Sequence, residues 1–151
     1  MNIEDRLADL GIDLPPVAKP VAAYVPAIQV GDQISTSGQL PLVSGSLPMT
    51  GLVGDQISQE DAAGQARVAA LNALAAAADV AGGVNNIRRV VRVVVYVASA
   101  ADFTAQPAVA NGASELFGEI FGDAGRHIRS AIGVASLPLG APVKVELTVQ
   151  V

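Results

Sequence analysis

The sequence lacks cysteine and tryptophan and is poor in other aromatic residues, with two tyrosines and three phenylalanines. Without cysteine, the chain can form no disulfide and can use no thiol as a nucleophile. The single histidine, His127, argues against a zinc site, because zinc is usually held by several histidine and cysteine side chains. We therefore predict that the protein has no metal site.

Charged residues are few, at 15% of the chain, and the net charge is −5. Proteins that bind nucleic acid present a basic surface, and those that bind single strands add aromatic side chains on which bases stack. This sequence has little of either, so it predicts no nucleic-acid partner.

Long apolar runs are also absent. The longest apolar tract without a charge, residues 68–78, is rich in alanine and contains Asn72, whereas a membrane-spanning helix needs about 20 predominantly apolar residues. The first residues, MNIEDRLADLG, are charged and have no apolar signal-peptide core. We therefore expect a cytoplasmic protein with no membrane partner.

The chain is nonetheless apolar for its size. Its 151 residues are the length of one ordinary domain, 51% of them are hydrophobic, and the mean hydropathy is +0.46. Because a small domain exposes much of its surface, an excess of apolar residues suggests a buried subunit interface.

The first part of the chain predicts one helix, a linker and a hairpin. Residues 2–10 have the pattern of a short amphipathic helix that ends at Gly11, and the proline-punctuated DLPPVAKP follows it. Two strand candidates flank Gly31-Asp32, a hairpin-turn signal, within VAAYVPAIQVGDQISTSGQLPL. Residues 43–57 are rich in glycine, serine and proline and predict a loop.

The second part predicts two helices and three strands. An alanine-rich helix begins after Ser58, which can cap it, and ends at Gly82-Gly83. A second helix covers residues 107–121, and strands cover residues 87–98, 127–136 and 143–151. The order is β-β-α-β-α-β-β, which predicts an α+β fold with helices on one face of one sheet.

One face of the predicted sheet has no helix to cover it. We assign to that face the residues Val94, Tyr96, Ala131, Gly133 and Ala135, which together would make a broad apolar patch. Closing the patch against further copies of the chain is the simplest solution. A ligand cleft at such a junction would use residues from two chains.

Five segments in the chain form a recognisable series: TSGQLP after a tyrosine-containing hairpin, GQARVAALN, VRVVVYV, ADFTAQPAVANGASELFGEIF and RSAIGVASLPLGAPVKVELTV. In this order they resemble the RidA (YjgF-like) family of reactive-intermediate deaminases, formerly described as L-PSP endoribonucleases. The resemblance implies a chorismate-mutase-like fold and a homotrimer with clefts between subunits. It assigns residues 20–151 to the family domain and leaves residues 1–19 as an N-terminal extension.

In the family, the arginine that matches Arg129 holds the carboxylate of a small 2-imino acid, and a guanidinium can do so with two parallel hydrogen bonds. The alternative is a structural arginine that pairs with a carboxylate across the subunit interface. On its strand, Arg129 shares a face with the small residues Ala131 and Gly133, which would leave the ligand room.

The resemblance implies further ligand contacts, each with a structural alternative. Tyr24 would lie against the ligand or fill the interface, and Ser37 and Gly38 would contact the ligand or form a strand-end turn. Asn111 occupies the family's asparagine position and would contact the ligand, or it would cap or brace a loop. We expect Tyr96 to pack in the trimer and His127 to lie on the surface.

The sequence departs from the family at the catalytic glutamate, which lies six residues after the proline of the L-P turn and positions the attacking water. Counted from Pro138, that position is Lys144, and Glu146 follows two residues later. Glu146 could take over the water, or Lys144 and Glu146 could form a solvent-facing salt bridge.

Three functions therefore remain open. The first is hydrolysis of 2-imino or enamine acids to 2-keto acids and ammonia, with Arg129 and Glu146 as catalytic residues and no cofactor. The second is a trimeric protein that binds small 2-imino or 2-keto acids without efficient catalysis. The third, an endoribonuclease, fits poorly with the acidic composition.

Overall fold

The computed structural model describes residues 2–18, 20 and 23–151. It consists of three helices and five strands: α1 (Ile3–Asp9), β1 (Ala27–Val30), β2 (Gln33–Thr36), α2 (Gln59–Ala81), β3 (Arg89–Ala98), α3 (Gln106–Phe121), β4 (Ile128–Val134) and β5 (Val143–Gln150). This order confirms the predicted α+β fold, with α1 placed before it. The predicted hairpin and linker extend over Lys19, Val21 and Ala22, which lie outside the described residues.

The strands form one sheet in the order β1-β2-β5-β3-β4. Strands β3 and β4 are parallel, and α3 makes the crossover between them, whereas the other neighbours are antiparallel. The turn at Gly31-Asp32 joins β1 to β2, and Gly31 has φ +61°, a left-handed conformation that glycine adopts without strain. This confirms the predicted hairpin.

The core lies between the sheet and the helices α2 and α3. The buried strand residues alternate, as in Val143, Val145, Leu147 and Val149 of β5, and a row of buried alanines along α2 packs against them. Ser58 caps α2, because its hydroxyl accepts a hydrogen bond from the Asp61 amide at 3.1 Å. Gly82 ends α2 at φ +79°, so both predicted helix limits are confirmed.

Helix α1 packs on the rest of the domain rather than projecting from it. Leu7 is buried, the Glu4 amide donates to Asn85 Oδ1 at 3.0 Å, and Arg6 Nε donates to the Glu119 carbonyl at 2.8 Å. The division of the chain at residue 19 stays a prediction. None of the helices among the described residues has the length and apolar character needed to cross a membrane.

The assignment of β4 residues to the two sheet faces was wrong. Arg129, Ala131 and Gly133 are paired with the buried residues Val93, Val95 and Val97, so all three face the helices. Strand alternation separates the two faces but does not say which one the helices cover. A Cβ on Gly133 would lie 2.8 Å from Gln106 Nε2, so α3 occupies the space that we had expected to be free.

The face of the sheet without helices, which we name the open face, is still apolar. Its exposed members include Ile28, Ile128 and Ile132, which are 58%, 60% and 45% exposed. Val94 and Tyr96 lie on the same face, as predicted, because they alternate with the buried residues of β3. An irregularity between Val90 and Arg92 interrupts the alternation of β3 and places Val90 in the core.

Candidate functional site

Arg129 is held on the helix side of β4 by two residues of α3. Its Nη1 donates to Asn111 Oδ1 at 2.8 Å and to Ser114 Oγ at 3.1 Å. Asn111 and Ser114 are three residues apart on the helix, and this spacing places their side chains next to each other. Strand β4 and helix α3 are therefore joined at this point by a polar contact.

Ser114 also contacts His127, just before β4. Ser114 Oγ lies 2.9 Å from His127 Nε2, and His127 Nδ1 lies 2.6 Å from the Gly125 carbonyl oxygen. Because a carbonyl can only accept, Nδ1 carries a proton, and Nε2 can accept from the Ser114 hydroxyl when the ring carries no second proton. The ring also meets Phe117 edge to face, with centroids 6.1 Å apart.

The expectation that His127 lies on the surface was thus wrong, since the ring is half-buried and has polar partners on both nitrogens. The sequence analysis also did not identify Ser114 as a site residue. The available signal was spacing: His127 and Arg129 share a strand face, and Ser114 follows Asn111 by almost one helical turn.

The side chains around Arg129 border a cavity of about 420 Å³, lined by Ser114, Gly118, Gly122, Gly125, Arg126, His127 and Arg129. No carboxylate is among these residues. In residues 2–18, 20 and 23–151 the one ion pair is Arg67–Glu119, at 3.1 Å. Within the described part of this chain, Arg129 therefore has no acidic partner. The described part of the chain also includes no group of histidine and acidic side chains that could hold a metal ion.

A second cleft, of about 680 Å³, lies where β2 ends and β5 begins. Its lining is largely apolar and consists of Ala18, Pro20, Tyr24, Pro26, Ser37, Gly38, Gln39, Leu40, Leu42, Pro138, Leu139 and Lys144. Ser37 Oγ donates to the Val25 carbonyl at 2.7 Å, and the Ser37 amide donates to Pro26 at 2.7 Å. Tyr24 is 50% exposed at the cleft. Three of the predicted ligand residues, Tyr24, Ser37 and Gly38, thus share one cleft.

An extra residue in the ladder between β2 and β5 shapes this cleft. Ser35 pairs with Thr148 and Gln39 with Val145, so three residues on one side oppose two on the other. Such a bulge redirects the backbone. The side chain of Lys144 lies across Gly38, where an added Cβ would overlap Lys144 Cε.

Glu146 lies on the open face, apart from both cavity linings. It accepts a hydrogen bond from the Tyr96 hydroxyl at 3.1 Å. Burial raises the pKa of the Tyr96 phenol, and the charge of Glu146 and the hydrogen bond to it raise this pKa further. Tyr96 therefore remains a donor at neutral pH. Glu146 and Lys144 are half-buried and form no ion pair with each other, so the alternative of a solvent-facing salt bridge was wrong.

The predicted site residues thus fall into three places on one chain. Arg129 and Asn111 are in contact at α3 and β4, with Ala131 two residues along β4 and packed against the core. Tyr24, Ser37 and Gly38 line the second cleft, and Glu146 lies on the open face. The roles of these residues in ligand binding and catalysis stay predictions.

Comparison with known proteins gives consistent matches along nearly the whole chain. Residues 4–151 match the family described as "YjgF/chorismate_mutase-like, putative endoribonuclease". Protein TCP17 of Trypanosoma cruzi is 40% identical over 99% of this chain and 94% of its own length. Among solved structures, a Shewanella oneidensis protein with the same endoribonuclease description is 32% identical, covers 100% of both chains and superposes with a TM-score of 0.95. The Agrobacterium tumefaciens protein Atu1372, of unknown function, is 41% identical over 99% of this chain and 92% of its own, with a TM-score of 0.89.

Proposed function

The chain belongs to the YjgF/chorismate-mutase-like family, and from that membership we propose that it hydrolyses small 2-imino acids and their enamine tautomers. The products are a 2-keto acid and ammonia. The oxygen of water bonds to the imine carbon, the C–N bond then breaks, and the nitrogen leaves as ammonia. Nothing is oxidised or reduced, so the reaction needs no redox cofactor. We also propose that the protein is cytoplasmic, and cell fractionation would test this location.

The observation that carries the proposal is the state of Arg129. It is half-buried, has neutral partners in Asn111 and Ser114, and has no carboxylate partner in the described residues. A guanidinium in that state can accept a ligand carboxylate through two parallel hydrogen bonds. Bound in this way, the substrate would present its imine carbon to an ordered water, and positioning of this kind lowers the barrier.

We propose that the complete site forms between subunits of a homotrimer. The Arg129 cavity and the cleft of Tyr24, Ser37 and Gly38 are separate on one chain, and each holds part of the predicted ligand set. The open face exposes Ile28, Ile128 and Ile132, an apolar surface that association would bury. One chain would then supply Arg129 and its neighbour the second cleft.

A second candidate is a carboxylate-binding protein with little deaminase activity. Lys144 stands at the counted position of the family's catalytic glutamate, and an ammonium cannot accept a hydrogen bond from water. Glu146 already accepts one from Tyr96. The endoribonuclease description of the family is less well supported here, because the net charge is −5 and few aromatic side chains are available for stacking.

Two measurements on the purified protein test the proposal. The first follows 2-keto acid formation when the protein is added to an amino acid dehydratase that releases 2-iminobutanoate. The second measures 2-ketobutanoate binding by calorimetry. We expect acceleration of imine hydrolysis, and we expect Arg129→Lys to weaken 2-ketobutanoate binding by about 1–3 kcal/mol, because two aligned hydrogen bonds become one point-charge contact.

The outcomes separate the candidates. Binding without acceleration supports the carboxylate-binding protein. A lower assembly mass in Arg129→Lys with unchanged affinity would show that Arg129 is an interface strut. No binding of 2-ketobutanoate and no acceleration together would overturn both candidates.

A further inference from the structure

Within the part of the chain that the structure describes, the guanidinium of Arg129 forms hydrogen bonds through one nitrogen only, Nη1. Nη1 carries two hydrogens, and Asn111 Oδ1 and Ser114 Oγ can accept one each. Among residues 2–18, 20 and 23–151, neither its Nη2 nor its Nε forms a hydrogen bond. The Nε–Nη2 edge is one of the two edges with which arginine grips a carboxylate through a pair of parallel bonds.

The Ser114 hydroxyl can accept from Arg129 only if its own proton points elsewhere. A serine hydroxyl rotates freely unless an acceptor fixes it, and His127 Nε2 lies 2.9 Å from Ser114 Oγ. Because the Gly125 carbonyl holds the proton of the ring on Nδ1, Nε2 is the acceptor in the neutral imidazole. In that form of the ring, the proton of Ser114 points to His127, and a lone pair is left for Arg129 Nη1.

We propose that Ser114 and His127 are positioning residues, which orient Arg129 so that its Nε–Nη2 edge is presented to the ligand carboxylate. The proposal deepens the function proposed above and rests on it. An arginine side chain loses rotamer freedom when it binds a ligand, and a guanidinium already fixed in the free protein loses less on binding. Ser114 and His127 would thus raise affinity without touching the ligand.

The orientation can be observed without a ligand, by NMR of protein labelled with ¹⁵N-arginine. We expect the Arg129 Nη signals to show slowed rotation of the guanidinium, identified by their loss in Arg129→Lys. The exposed Arg126 is the internal reference. In Ser114→Ala we expect the Arg129 guanidinium to rotate faster. Equal rotation in the parent protein and in Ser114→Ala would overturn the proposal, whether or not the protein binds keto acids.

Binding of 2-ketobutanoate gives the second readout. Loss of one hydrogen bond corresponds to about a 3–10-fold weaker affinity, which we expect for Ser114→Ala and for His127→Leu. If His127 acts through the Ser114 hydroxyl, His127→Leu has no further effect in the Ser114→Ala background. Ser99→Ala is the matched control, because Ser99 is also a part-buried, hydrogen-bonded serine. It lies away from Arg129, since its amide donates to the carbonyl of Val134 at the other end of β4.

The two proposals fail in different ways. If the parent protein neither binds 2-ketobutanoate nor hydrolyses 2-iminobutanoate, the proposed function fails, while the NMR result still decides the orientation of Arg129. If the parent binds and Arg129→Lys weakens binding but Ser114→Ala and His127→Leu do not, the positioning role is wrong. If the losses of affinity in Ser114→Ala and His127→Leu are additive and both variants have a lowered melting temperature, the role of the two residues is purely structural. That result would also overturn the positioning proposal.

Discussion

Glu146 is the acidic side chain that the sequence and the family resemblance place nearest to catalysis. One of its oxygens, Oε1, accepts from the Tyr96 hydroxyl, and Oε2 has no hydrogen-bond partner in the described part of the chain, so it could accept from water. Lys144 lies two residues away on the same face of β5 and reaches over Gly38 into the second cleft. We predict that these two side chains decide whether water can be oriented at the site.

We expect substitutions at these positions to change the rate in opposite directions. Lys144→Glu should raise 2-iminobutanoate turnover, because a carboxylate can accept a hydrogen bond from water and an ammonium cannot. Glu146→Gln should abolish most of the activity of the parent, since general-base assistance contributes about 10²–10⁴-fold. The dehydratase-coupled assay measures both changes.

The matched control is Glu60→Gln, which makes the same change at an exposed position in the first turn of α2. It should leave the rate unchanged. Equal rates in the parent, Lys144→Glu and Glu146→Gln would show that neither side chain contacts the water. The carboxylate-binding protein would then be the better description.

The contact between α2 and α3 depends on a glycine. A Cβ on Gly112 would overlap the Ala63 carbonyl oxygen in the backbone of the facing helix, whereas a Cβ on Gly118 meets nothing within 4 Å. Both glycines lie within α3. Alanine substitutions at these two positions therefore separate the effect of helix propensity on stability from the effect of helix packing.

We expect Gly112→Ala to destabilise the protein, because α2 and α3 must move apart, and overpacking of this kind typically costs about 1–3 kcal/mol or more. Gly118→Ala should stabilise it by up to about 1 kcal/mol through helix propensity alone. Denaturant unfolding of the two variants and the parent measures both effects. A loss of stability in Gly118→Ala equal to that in Gly112→Ala would contradict this account of the packing.

Elements were predicted well wherever the local sequence alone determines them. The cap at Ser58, the end of α2 at Gly82, the turn at Gly31 and the alternation of β5 all depend on neighbours in the chain. Neighbours in the chain do not determine which face of β4 meets the helices, because the side of the sheet that carries α3 is set by the crossover between two parallel strands. Alternation correctly predicted that Arg129, Ala131 and Gly133 share one face of β4, but that face was wrongly assigned to the side of the sheet without helices.

The site was predicted in pieces for a similar reason. The family resemblance selected Arg129 and Asn111, and their contact is observed at 2.8 Å. His127 was wrongly expected on the surface because its partner Ser114 becomes a neighbour only when α3 packs on β4. The count from Pro138 to Lys144 crosses a turn in which Leu139 and Gly140 have positive φ. One inserted residue in such a turn shifts the count without moving β5.

On the scale of the whole molecule, the open face predicts self-association. We expect light scattering to give a mass near three chains. Ile132→Glu should lower that mass, because it places a charge on the apolar open face that association would bury. Val80→Glu, at an exposed valine on α2, is the control and should leave the mass unchanged. A stable monomer of the parent at micromolar concentration would contradict the assembly and would remove the site between subunits.

A trimer whose sites are shared between neighbours makes a stricter prediction about mixtures. Arg129→Ala removes the guanidinium, and Gly38→Val fills the second cleft on the same chain, so each variant should be inactive alone. When equal amounts are unfolded and refolded together, some neighbours bring an intact Arg129 to an intact second cleft. In a cyclic assembly with one such contact per subunit, about one quarter of the sites would be complete. We therefore expect about one quarter of the parent activity in the mixture. A site built within one chain would give none, because every chain then carries one defect, and mass measurements on the refolded mixture would confirm that its subunits had assembled.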